Sequence, residues 1–167
     1  FTISNNYTNS YIINISDNNK KRNSNAKNEF LFRNKTLIKP HDSLIMTLTS
    51  YFVDLNNKYD VWTPDNNGFT TYSDFQGVDK QKSKAFSINT RFKSNNKTYT
   101  LINTYSDNII KYSYDGDWGN LGYWDEVYGY NENVDWYFGP YDFKDITNRK
   151  RISSSHEFRT KINFKKN

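Results

Sequence analysis

Residues Phe86 to Tyr105 read FSINTRFKSNNKTYTLINTY, and this run decides the fold. Phe86, Ile88, Thr90 and Phe92 alternate with Ser87, Asn89, Arg91 and Lys93. An extended chain points successive Cβ atoms to opposite sides of its pleat, so this period of two puts the apolar side chains on one face. The polar break Lys93-Ser94-Asn95-Asn96-Lys97 separates that strand from a second run, Tyr99 to Tyr105. The pair predicts a hairpin whose loop is longer than a two-residue turn.

The same alternation recurs on either side. Phe158, Ile162 and Phe164 share one face of the last segment, opposite Glu157, Arg159, Lys161 and Asn163. Near the start, Tyr11, Ile13 and Ile15 alternate with Asn14 and Ser16. Leu44 to Val53 is apolar on both faces, as expected of a central strand. Turn-like stretches fall at Asp17 to Asn28, Asn56-Asn57, Pro64 to Gly68, and Asp79 to Ser83. No amphipathic helix of ten residues or more stands out. Short strands at this spacing predict an all-β, single-domain antiparallel β-sandwich over residues 1–167.

A chain of 167 residues is one domain's worth and long enough to bury a core. Mean hydropathy is −0.98, and no apolar run approaches the roughly eighteen residues of a membrane-spanning helix. The absence of cysteine excludes disulfides, thiol catalysis and cysteine-ligated zinc. The first residue is Phe1, not Met, which is expected of a processed or trimmed product.

The other informative stretch is Tyr105 to Phe143, YSDNIIKYSYDGDWGNLGYWDEVYGYNENVDWYFGPYDF, which holds thirteen of the thirty aromatic residues. Tyr and Trp carry a polar handle that suits a half-wet site. Broken by Gly116, Gly119, Gly122, Gly129 and Gly139, the segment is expected to form irregular loops that present rings. From Tyr105 to Asp142, eight carboxylates face Lys111 alone, a net of −7, whereas Lys144 to the end carries a net of +6. Single-strand nucleic-acid binders set stacking rings in a positive groove, so an acidic platform argues against nucleic acid.

Catalysis has little support in this sequence. His41 and His156 each lack a partner at ligand spacing. Asp125-Glu126, and Glu132 with Asp135, read as solvated loop carboxylates in preference to a glycosidase pair. Asp115-x-Asp117-x-Gly119 lacks the remaining ligands of a calcium loop. The expectation is a non-enzyme with no catalytic residue, metal or cofactor. Tyr and Trp among carboxylates suit two ligands: a sugar, stacked on the rings, or a quaternary ammonium held by cation–π attraction of about 0.5–2 kcal/mol per ring. Membrane interfaces also fit, since Trp and Tyr settle at headgroup depth. The plain alternative is that these rings cap the sandwich core.

Tyr114-Asp115-Gly116-Asp117-Trp118, followed by Asn120 and Tyr123-Trp124, resembles the phosphocholine-site loop of the actinoporins. Ile3-Ser4-Asn5-Asn6 is similar to the start of their first sandwich strand, and Ser154-Ser155-His156 to their closing strand. Trp136-Tyr137-Phe138 falls where they carry a tyrosine cluster. The resemblance, which extends to the related aegerolysins and fungal fruit-body lectins, implies a compact β-sandwich that binds sphingomyelin-type headgroups or glycans. It gives Tyr114, Trp118, Tyr123, Trp124, Trp136 and Tyr137 headgroup-contact or membrane-docking roles. The spacing from Trp118 to the aromatic pair is longer than in actinoporins, the sequence starts at the first strand, and Arg-Gly-Asp is absent. An aegerolysin-like part, which recognises lipid and recruits a separate pore-forming protein, fits these departures better.

The full set of candidate lipid- or glycan-binding residues is Tyr112, Tyr114, Trp118, Tyr123, Trp124, Tyr128, Trp136 and Tyr137. The function expected is that of a secreted, cytolysin-like toxin component that docks on membrane lipid headgroups. The rivals are a carbohydrate-binding lectin module and a structural subunit of an extracellular assembly. A homo-oligomer and a separate pore-forming partner are compatible with this expectation; nucleic acid is not.

Overall fold

A computed structural model describes residues 1–16, 24–63, 65, 67–120, 122–135 and 139–164. The fold is all-β, as the alternation predicts. In chain order the elements are β1 (Thr2–Thr8), β2 (Ile13–Asn14), β3 (Lys27–His41), β4 (Leu44–Tyr59), β5 (Thr70–Thr71), β6 (Gly77–Ser94), β7 (Lys97–Asp115), α1 (Tyr123–Tyr128) and β8 (Lys144–Ile162). Six strands form one antiparallel sheet in the order β1-β3-β4-β6-β7-β8, and β2 pairs with β5 in a parallel two-stranded sheet.

The Phe86–Tyr105 segment is the hairpin expected, although its turn is tighter. Ser94 pairs with Lys97, which leaves Asn95-Asn96 as a two-residue turn. Asn95 takes a left-handed φ of 49°, a conformation that asparagine tolerates better than most residues and that a tight hairpin turn requires. The doubly apolar Leu44–Val53 segment lies in β4, flanked by β3 and β6.

Other expectations give way to pairing. Asn56-Asn57 and Asp79–Ser83 lie inside strands, paired with one another through Asn56↔Lys80 and Asn57↔Asp79. Asn57 serves the ladder: its side chain accepts the Asn28 backbone N–H at 3.0 Å and donates to Glu29 at 2.8 Å. A residue type common in turns is thereby satisfied in a strand. The Tyr11–Ile15 alternation yields only the two residues of β2. Of the expected Asp17–Asn28 turn, residues 17–23 lie outside the described residues, and Lys27 and Asn28 open β3.

The register sorts the sheet into two faces. Phe92, Tyr99 and Phe158 lie side by side across β6, β7 and β8, with ring centroids 6.4 and 6.3 Å apart. Thr104 and Ser155 share the opposite face, where their hydroxyls meet at 2.6 Å. His156 lies on the Phe158 face and is hydrogen-bonded through Nδ1 to Asn103 at 2.7 Å.

The interior sits at one end of the sheet, where β4 and β7 finish and β6 and β8 begin. Among the described residues, Ile12 and Val53 are the buried hydrophobic side chains, while Asn14, Asn57, Asp60, Thr71, Ser73, Ser83, Ser113, Asp115 and Asp117 are buried polar ones. Asp60 organises part of this interior: its carboxylate accepts from Asn14 (3.3 Å), Thr71 (2.9 Å) and Ser73 (2.6 Å). Burial raises the Asp60 pKa, against the lowering effect of those donors.

Candidate functional site

The aromatic loops leave the sheet at the end of β7, and two buried carboxylates shape the departure. Asp115 Oδ1 accepts the backbone N–H groups of Asp117 (3.3 Å) and Trp118 (3.2 Å). Asp117 accepts from Gly119 N (2.9 Å) and, across the loop, from Phe143 N (2.7 Å). Gly116 donates to the Phe143 carbonyl at 2.9 Å, and a Cβ at Gly116 would run into the Phe143 ring, so only glycine fits there. The Asp-x-Asp-x-Gly spacing is therefore a loop-folding device. Burial and the neighbouring Asp117 charge push Asp115 up to about 7. Among the described residues, no group of three or more His, Asp or Glu is placed to hold a metal ion.

This folding places Trp118 at a left-handed φ of 65°, 39% exposed and 6.4 Å from the ring of Trp62. Trp62 donates its indole N–H to the Tyr59 hydroxyl at 3.4 Å. Tyr59 in turn lies 5.0 Å from Tyr112, which lies 5.7 Å from Tyr114. Burial and the Tyr59 hydroxyl raise the Tyr112 pKa. Trp118, Tyr112 and Tyr114 thus belong to one ring series, linked through Tyr59 and Trp62.

A second series is built on α1. Gly122 and Gly129 bracket this short helix with positive φ values of 89° and 65°. None of its residues is buried. Trp124 donates its indole N–H to the Asp117 carbonyl at 3.1 Å, which pins the helix to the carboxylate loop. Trp124 then packs 4.9 Å from Tyr128 and 5.4 Å from Tyr141, while Tyr123 stacks 5.0 Å from Tyr72. Tyr141 continues to Tyr130 at 5.3 Å and to Phe143 at 5.2 Å. Tyr128 is 54% exposed, and Asp125 and Glu126 stand exposed beside it. At the margin, the Tyr72 hydroxyl donates to Asp65 at 2.7 Å, which raises Tyr72 to about 12 and holds Asp65 at about 2. Lys144 lies 5.0 Å over the Phe75 ring, a cation–π contact at the start of the basic strand β8.

Of the eight candidate residues, Tyr123, Trp124 and Tyr128 meet directly, and Tyr112, Tyr114 and Trp118 form the other series. Trp136 and Tyr137 lie outside the described residues. Trp62, Tyr72, Tyr130, Tyr141 and Phe143 were not singled out as candidates, yet they complete the two clusters. Tyr130, Tyr141 and Phe143 lie in the same aromatic stretch, whereas Trp62 and Tyr72 sit some 50 residues away, flanked only by turn signals. Comparison with family models, with curated proteins and with solved structures finds no match for this chain.

Proposed function

We propose that the aromatic end of the molecule docks on membrane lipid headgroups of the phosphocholine or sphingolipid type. The observation that carries this reading is the ring cluster built on α1: Tyr123, Trp124 and Tyr128 touch one another on an element with no buried residue, and Tyr141 packs against Trp124. Half-wet indole and phenol rings suit the headgroup layer. Exposed Asp125 and Glu126 beside them suit the positive trimethylammonium group, which the ring faces attract as well. The basic residues of β8, from Lys144 to Arg151, offer charge for the neighbouring phosphate. In this reading the protein is the lipid-recognising part of a secreted, cytolysin-like toxin and performs no covalent chemistry.

Vesicle cosedimentation tests it. Phosphatidylcholine or sphingomyelin vesicles should pull down the protein, and Trp124→Ala with Tyr128→Ala should reduce binding by at least about tenfold, the loss expected of two stacking rings. Vesicles that leave the protein in solution, together with retention on a glycan column and elution by free sugar, would give the site to carbohydrate instead.

A further inference from the structure

The half of the sheet farthest from the aromatic loops has an apolar face that nothing among the described residues covers. On this face the positions from Leu44 to Phe52 in β4, Phe86 to Phe92 in β6, Tyr99 to Tyr105 in β7 and Ser154 to Ile162 in β8 carry no Asp, Glu, Lys or Arg. Asn34, Thr36 and Ile38 of β3 continue it without charge. Phe158 is 66% exposed and Phe86 55%, with Ile88, Phe92, Leu101 and Ile162 exposed around them. The opposite face of the same strands carries Arg91, Lys93, Glu157, Arg159 and Lys161, as expected of a surface left in water. The described loops hydrogen-bond to one another at the other end of the sheet, through Ile13 to Phe69, Asp74 to Gly119 and Gly116 to Phe143.

We propose that this face is covered by the same face of a second copy of the chain, giving a two-fold symmetric pair of sheets. A sheet with one apolar face must bury it against another layer, and two sheets stack face to face about 10 Å apart. The size is sufficient. Five strands about 4.8 Å apart, with uncharged tracts that average about seven residues at 3.3 Å per residue, span roughly 24 by 24 Å, or about 600 Å² per copy. Two copies remove roughly 1,200 Å² from water, at the lower end of the roughly 1,200–2,000 Å² of stable interfaces. Pairing a face with itself brings like groups together, and a face without formal charge at these positions pays no repulsion for it. A bilayer is the poorer cover. The 19-residue strand β8 has an open edge, and unpaired backbone groups are not tolerated in hydrocarbon. Between stacked sheets that edge stays in water, where the Arg and Lys side chains of β8 guard it against further strand pairing.

Sedimentation velocity without lipid tests the proposal at roughly 1 to 100 µM, where interfaces of this size begin to associate. The expected result is a dimer at the upper end of that range. Phe86→Lys with Phe158→Lys should weaken association by at least about tenfold, as charge at an interface centre does. Ser153→Lys on the opposite face, and Trp124→Ala in the aromatic cluster, should leave it unchanged, which separates this result from that of headgroup binding. Phe158→Ser gives a milder second variant should the double lysine variant lose its far-UV circular dichroism. A monomer throughout the range overturns the proposal, as does a dimer indifferent to these changes. A lipid-free monomer that binds phosphatidylcholine vesicles only with Phe86 and Phe158 intact also overturns it, and makes the bilayer the occupant.

Discussion

At the end that carries the aromatic loops, interior positions are filled by Asn14, Asp60, Thr71, Ser73, Ser113, Asp115 and Asp117, each held by hydrogen bonds or packed among groups that are. The far half of the sheet is held together by its strand ladders and cross-strand rings, with Phe86, Phe92 and Phe158 open on one face. The contrast teaches where single substitutions matter. Buried polar networks fail sharply, because each lost partner strands another group away from water. A face already in water loses little when one side chain is trimmed.

The sharpest way to break the contrast is Gly77→Ala. A Cβ there would overlap the backbone oxygens of Tyr59 and Ser113, neither of which can swing aside. The expected loss exceeds about 4 kcal/mol in urea denaturation, at the extreme of single substitutions. Asp60→Ala comes next. It leaves the Asn14, Thr71 and Ser73 donors facing a hole, so a loss of about 3–4 kcal/mol is expected in the same measurement.

The third effect is a pH dependence. Asp115 stands at about 7 in the folded chain against 3.8 for its ordinary value, so the folded state holds this proton through a window where the unfolded state has released it. Stability is therefore greatest below about pH 4 as far as this group is concerned, and falls as pH rises toward 7, by on the order of 3 kcal/mol. Above pH 7 the contribution is level. Asp115→Asn should flatten that slope relative to the unaltered protein when unfolding is followed from pH 4 to 8; an unchanged slope would assign the titration elsewhere. The smallest effect is expected at Phe158→Ala on the open face, below about 1 kcal/mol in a dilute, monomeric sample. A larger loss would mean that the face is already covered.

Much of the sheet was legible because alternation is a local property. Phe86 to Phe92 and Phe158 to Ile162 announce both their strands and the side each residue occupies, since the period of two is written in consecutive residues. The missed strand segments failed for a physical reason. Asn56, Asn57 and Asp79 have the composition of turns, and the ladder between β4 and β6 overrules that preference by satisfying their backbone groups. The aromatic stretch was legible as a collection of rings, but not its division into two clusters. That division depends on Tyr59, Trp62 and Tyr72, which lie outside the stretch and meet its rings through chain paths far apart in sequence.

By itself, the sequence determined an all-β antiparallel chain and the identity of its apolar face, because both follow from near-neighbour spacing. It also showed that rings, carboxylates and glycines crowd one segment. Only the tertiary structure decided that Asp115 and Asp117 turn inward to fold the loop while α1 stays unburied, and that no covering layer lies on the apolar face of the far half among the described residues. Those outcomes depend on which distant segments pair and on what remains to cover them, and burial is set by such long-range contacts.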